Sequence, residues 1–259
     1  MTHRQDAPPD PPRVTRRVFL AAAAGGVAAG ALPERVHAAN AFPVEGPPPE
    51  GPAADTPGTD VSRDAPRIRL AEPGPMIPPV PAILLTVRGR PGDPDEISVV
   101  WTFVVEGKPP QIGISVGDEH VAGPLVAMHE EFVLNLPVAG MIRRFDTVDM
   151  NSSHVGDKFV LAGLTRGHAV AVDAPTVEEC PIQVECRVFD RIRVPPARTI
   201  FLAEVVATTA LEGAVDADGR LVVPAVPFFG MTAGSGEFYT MGEPVGHIGM
   251  TVGRDDIKY

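Results

Sequence analysis

The 259-residue sequence predicts a mostly β fold, a barrel with a few short inserted helices. Three observations carry that expectation. Short runs rich in β-branched residues follow one another between turns, and an Asp-Gly pair stands between apolar residues in "VDADGRLVV". Segments with helical spacing are few and brief.

In chain order, "AILLTVRG" (82–89), "ISVVWTFVV" (97–105), "QIGISVG" (111–117) and "EFVLNLP" (131–137) read as strands. So do "IQVECRVFDRIRV" (182–194) and "TIFLAEVVATTAL" (199–211), because β-branched and aromatic side chains suit a pleated, half-buried surface. "VDADGRLVV" (215–223) reads as a hairpin. Helices are expected at "GPLVAMHEE" (123–131), "HVGDKFVLAGL" (154–164) and "TVEEC" (176–180). No internal repeat is visible.

Two segments precede the barrel. Residues 1–38 have the layout of a twin-arginine export signal: Arg16-Arg17, then Val18-Phe19-Leu20, an Ala/Gly run and a Val36-His37-Ala38 cleavage site. The run is too short and too rich in Ala and Gly for a membrane span, which needs about 20 apolar residues. Localisation is therefore expected outside the cytoplasmic membrane. Residues 39–75 are proline-dense and lack the apolar residues to build a core, so they read as a disordered linker. Residues 76–259 form the domain.

The chain has 22 Lys+Arg against 33 Asp+Glu, a net charge of −11, and the signal holds five of those bases and three of those acids. The processed chain would thus carry −13. Such a field repels polyanions, and no basic run with interleaved aromatics exists, so nucleic acid is excluded as a partner. A phosphate-bearing small ligand is not excluded, because a pocket can be locally positive.

Cys180 and Cys186 are the only cysteines. On one strand, six residues apart, they would stand ~20 Å from each other on a shared face, beyond disulfide reach. That suggests core packing. No His/Cys motif has metal-ligand spacing, so no metal site is expected, and His120 and His129 read as surface or structural residues.

The chain from about residue 76 onward resembles the flavin reductase-like family, whose FMN-binding split barrels include flavoredoxin. The phrases that carry the resemblance are "DEISVVWTFVVEGKPPQIGISV", "EEFVLNLP", "SSHVGDKFVLAGLT", "CPIQVECRV", "TIFLAEVV" and "FYTMGEPVG", in that order. It implies a split β-barrel of the FMN-binding type and a homodimer with FMN at the interface. It also implies hydride transfer from NAD(P)H to the flavin and onward electron delivery.

The resemblance implies flavin contacts for Trp101, Ser115, Lys158 and Phe229, to which the hydroxyls of Ser98 and Thr102 are added from strand geometry, with cross-strand pairing as their alternative role. On its own, Trp101 reads as a core residue and Lys158 as a solvated helix lysine. The resemblance moves both to the flavin, where a cation near the ring would stabilise its anionic reduced form. Ser98 and Thr102 share a strand face and offer hydroxyls to a phosphate. Phe228-Phe229 would close the pocket.

Three departures stand out. Asp95 replaces the family's Asn. Gly117-Asp118-Glu119-His120 follows Ser115-Val116 where the family has a cation and a hydroxyl for the phosphate. Pro196-Ala197-Arg198 replaces its Asp-His, with Arg198 as the substitute cation. Two readings result: an FMN-dependent oxidoreductase exported folded with its flavin, or a non-enzymatic split barrel with a degenerate phosphate site. The latter would bind another ligand or a protein partner.

Overall fold

The computed structural model describes residues 66–252, apart from 218, 224, 225, 234, 243, 245 and 249. The expected export signal and most of the expected linker lie outside the described residues. Residues 66–79 are exposed and have no regular secondary structure.

The first strand, β1 (Val80–Pro81), precedes β2 (Leu84–Val87), β3 (Glu96–Val99), β4 (Trp101–Gly107) and β5 (Pro110–Gly117). Helix α1 (Ala122–His129) leads to β6 (Glu131–Leu136), followed by α2 (Ile142–Met150) and α3 (Lys158–Ala162). Then come β7 (Arg166–His168), β8 (Pro175–Val177) and the long β9 (Ile182–Val194) and β10 (Arg198–Ala210). Strands β11 (Phe229–Met231) and β12 (Phe238–Thr240) complete the set.

Seven strands form one antiparallel sheet in the order β3-β2-β6-β9-β10-β5-β4. Its two edge strands, β3 and β4, are consecutive in sequence and separated by Val100 alone. One residue spans about 3.5 Å of extended chain. A flat seven-stranded sheet would hold its edges several strand spacings of ~4.8 Å apart, so this sheet has to curl into a barrel. Val100 is 5% exposed and lies in the barrel's apolar core with Leu85, Phe132 and Phe201. "ISVVWTFVV", expected as one strand, is therefore two. Its halves answer to different neighbours, β2 and β5.

A second apolar cluster lies where α2 and α3 pack on the sheet. It contains Leu84, Ile97, Phe145, Val148 and Phe159. Helix α2 is absent from the sequence reading. Ile142, Phe145 and Val148 recur every three residues, and the latter two are buried, so the signal was present between polar residues.

Two expectations are corrected. Residues 176–180 do not form a helix: β8 pairs with β7, placing Thr176 opposite Gly167. A Cβ on Gly167 would collide with the Glu178 carboxylate and the Thr176 hydroxyl, so glycine permits this approach. Cys180 and Cys186 do not share a strand face. Pro181 has no N–H to donate, β9 begins after it, and Cys180 packs in the helix-side cluster while Cys186 packs in the barrel. Both thiols are free and buried. The expected Asp-Gly hairpin is a tight turn closed by an antiparallel bridge between Val215 and Leu221.

Asn135 ties the barrel to its covering loop. Fully buried on β6, it donates from Nδ2 to the Leu84 carbonyl at 3.1 Å and to Thr86 Oγ1 at 3.0 Å, and its Oδ1 accepts from the Val177 N–H at 2.8 Å. Replacing it by Ala strands buried partners. Asn135→Ala is expected to cost about 1–3 kcal/mol or more, read as a lower urea midpoint at unchanged slope. An unchanged midpoint would remove Asn135 from this role.

Candidate functional site

Strand β3 is hydrogen-bonded to β2 on one side, and a cleft runs along its other edge. One part of this cleft, about 460 Å³, is lined by Glu96, His120, Leu125, His154 and Lys158 among others. A second part, about 330 Å³, adds Ser98, Val99, Val148 and Asp149 and shares Glu96, His120 and Lys158 with the first. Glu96 and Ser98 stand two residues apart on one strand and so face the same way.

Lys158 comes from the first turn of α3. Asp157 caps that helix, its carboxylate accepting from the N–H of Phe159 at 3.0 Å and of Val160 at 3.5 Å. Gly163 ends it in the left-handed region at φ 62°, which glycine adopts without strain. Arg166 holds Asp157 at 2.5 Å and lies over the Phe159 ring at 4.2 Å. The short helix is thus pinned at both ends, which fixes Lys158.

The Lys158 ammonium lies 3.1 Å from Glu96 Oε1, with side chains only 7% and 4% exposed. Lys158 also donates to Ser98 Oγ at 3.4 Å, and Ser98 donates to the same Glu96 oxygen at 2.6 Å. The floor of the cleft is therefore a buried carboxylate–ammonium pair bridged by a hydroxyl. Its charges are compensated, as burial of charge requires.

The loop after β5 forms the opposite wall. Both of its carboxylates have partners: Asp118 is paired with Arg193, and Glu119 lies 3.2 Å from His120 Nε2. The hydrogen bond from Arg193 holds the Asp118 carboxyl below the usual carboxylate range. Asp149, across the cleft, is pushed up by desolvation and by the neighbouring Asp146.

The expected site residues fall into separate groups. Ser98 and Lys158 meet at the cleft floor. Trp101 and Ser115 line a smaller cavity of about 130 Å³ with Arg198, Phe145, His120 and Asp149. Arg198 donates to Ser115 Oγ at 3.0 Å and to the Ser115 carbonyl at 2.8 Å, so this guanidinium belongs to the small cavity. His120 and Asp149 border both spaces. Trp101 is 41% exposed on the edge strand β4. Thr102 is half-buried and donates to the Gly113 carbonyl at 3.0 Å. Phe229 is 5% exposed and packs edge to face on Phe145 and Phe238, with centroids 5.3 and 5.8 Å away.

Glu96, His120 and Asp149 escaped sequence reasoning. Glu96 had a signal, two residues before Ser98 on one strand face. His120 and Asp149 come from different loops and helices, and only the fold brings them to one cleft. Among the described residues no group of three or more His, Cys, Asp or Glu is placed to hold a metal ion, and no helix is long and apolar enough to cross a membrane.

The donor set fits a flavin. The larger part of the cleft has the volume of an ordinary ligand pocket. Its floor offers the Lys158 ammonium as a donor to a polar ring edge, and Val99, Val121 and Val148 supply apolar wall. Arg90 and His154 lie exposed on the lining, where a guanidinium and an imidazole N–H could meet a phosphate, and Arg90 has no ion-pair partner among the described residues.

A domain model described as "Flavin reductase like domain" matches residues 78–224, more than half of the chain. The fold is similar to flavoredoxin of Desulfovibrio vulgaris (Miyazaki F), at 23% identity and TM-score 0.65, covering 70% of this chain and 97% of that one. It is similar to flavoredoxin from Methanosarcina acetivorans, at 23% identity and TM-score 0.64, covering 71% and 96%. An FMN-binding domain of a flavin reductase-like enzyme from Shewanella baltica matches at 20% identity and TM-score 0.54, covering 63% and 87%. At these identities the structural likeness concerns the fold: a split barrel, mostly β.

The buried pair makes a sharp prediction about stability. Glu96→Gln or Lys158→Met alone leaves one uncompensated buried charge, an expected loss of about 3–5 kcal/mol. The double variant recovers most of it, because both charges go together. Two single losses that simply add in urea unfolding would mean that the groups do not interact.

Proposed function

Because the chain belongs to the flavin reductase-like family, we propose that it binds FMN in the cleft beside β3 and passes electrons through it, after export in the folded state. The buried Lys158–Glu96–Ser98 group at the cleft floor carries this reading, because its ammonium is a hydrogen-bond donor suited to a ring's polar edge. FMN, when bound, supplies reversible hydride and electron transfer. Lys158 and Ser98 orient the ring, the valines exclude water, and Arg90 and His154 receive the phosphate. The pairing of Asp118 with Arg193 removes much of that carboxylate's repulsion toward a dianion.

NAD(P)H is the donor that the resemblance implies, but it is scarce outside the cytoplasmic membrane. A membrane-bound or extracytoplasmic donor is the proposed source for an exported protein. The edge strand β4 exposes Trp101, Phe103, Val104 and Val105, an apolar strip that supports pairing with a second copy.

A second reading is favoured by one observation. Asp93, Asp95, Glu96, Asp118, Glu119 and Asp157 all line the larger part of the cleft, a setting that opposes an anionic ligand. The rival is a non-enzymatic split barrel that holds another ligand or a protein partner.

A visible spectrum of the purified protein separates the two. The flavin reading expects a yellow protein, or stoichiometric FMN uptake by a colourless one. A colourless protein that takes up no FMN sinks it and leaves the non-enzymatic reading.

Export is tested separately. Replacing Arg16 and Arg17 by Lys is expected to hold the folded protein inside the cytoplasm. Undiminished appearance in the extracytoplasmic fraction would refute the twin-arginine reading.

A further inference from the structure

A lysine that lines a ligand cleft alone presents a net positive charge. Lys158 is not alone. Its ammonium lies 3.1 Å from Glu96, both side chains are more than nine-tenths buried, and Ser98 donates to the same carboxylate oxygen. A ligand at this floor therefore meets a dipole of zero net charge, and the field of a dipole falls off faster than that of a single charge.

We infer that Glu96 is a positioning residue that holds Lys158 in place and cancels its charge, so that the cleft gives an anionic reduced flavin little electrostatic preference over the neutral oxidised form. The inference rests on the flavin reading. Its physical content is separate, because it concerns the ratio of two affinities and not binding itself. Glu96 acts through Lys158: the carboxylate fixes the ammonium's position and its net effect, and the hydroxyl of Ser98 completes the group. Among the described residues no other Lys or Arg forms an ion pair with Glu96.

The test is the reduction potential of FMN bound to the full chain, equivalent to the affinity ratio of reduced to oxidised flavin. In Glu96→Gln the ammonium is released from its counter-charge. The ratio is expected to rise about tenfold, the lower end of what an unopposed charge within ~4–6 Å does to an ionisation equilibrium. That is an upward shift of about 30 mV in a two-electron couple. In Lys158→Met the carboxylate is left alone, and the ratio falls by at least as much. In the double variant the floor is neutral again, and the potential returns to within about 15 mV of wild type, a roughly threefold change in the ratio.

A cleft governed by a bare lysine behaves differently. Glu96→Gln then leaves the potential unmoved, and the double variant falls together with Lys158→Met. Either result overturns the inference while leaving flavin binding intact. A wild-type protein that takes up no FMN overturns the flavin reading and the inference with it. Thermal unfolding accompanies each variant. If Lys158→Met does not fold, Glu96→Gln and the double variant still decide, since Glu96→Gln must stand about tenfold above wild type in the ratio and the double variant within about threefold of it.

Discussion

The architecture depends on a one-residue constraint. Val100 is all that separates the two edges of a seven-stranded sheet, so the sheet cannot lie open. Closure places Val100 inside the apolar core and sets β3 and β4 as the lips of a seam. A sheet edge normally exposes unpaired backbone groups. Here the edge of β3 lies along the cleft, between the loop after β5 and the start of α3. The functional candidate and the topological closure are thus one feature: the chain makes its cleft where it makes its join.

What fills that seam is polar, and the polarity is balanced locally. Glu96 can stay buried, only 4% exposed, because Lys158 reaches it, and Lys158 reaches it because a capped five-residue helix is pinned by Arg166. Removing two charges from water is expensive, and a buried pair is weak evidence for stability in itself. The pair's retention at a cleft floor is better understood through what it offers a ligand. Well-packed hydrophobic residues would serve the fold alone at least as well.

The barrel strands were legible because each is a β-branched run ended by Gly, Pro or Asp. β9 was read over 182–194 and forms Ile182–Val194. The break at Val100 was not legible, since no turn residue marks it and only the pairing partners of β3 and β4 reveal it. Helix α2 was hidden by Arg143, Arg144, Asp146 and Asp149 around three apolar positions. At the site, Ser98 and Lys158 were found through resemblance and lie together. Trp101 and Ser115 were named with them but sit in the neighbouring cavity, because consecutive strand residues alternate in direction and β4 has crossed to the other edge of the sheet. Glu96 was missed for a plain reason: a glutamate at the start of a strand reads as solvated until its neighbour on another element is known.

The loop Gly117–His120 shows why charges counted along a sequence mislead. Two adjacent carboxylates look hostile to an anion. In the fold, Arg193 on β9 claims Asp118, and His120 claims Glu119. The same applies to Asp95 and Asp157, both held by Arg166, with Arg88 also near Asp95. An acidic chain with a net charge of −11 can therefore present a cleft whose local field is much weaker than its composition suggests. Two of these pairs, Arg193 with Asp118 and Arg166 with Asp95, join residues more than 70 positions apart along the chain. Paired charges close together act at short range, and water and salt screen the remainder beyond about 10 Å. What a ligand meets is then decided by the few groups whose partners do not face away from it. At the floor those are Glu96, Lys158 and Ser98, and at the outer lining Arg90. The distribution of partners, more than the number of charges, fixes the local field along the cleft.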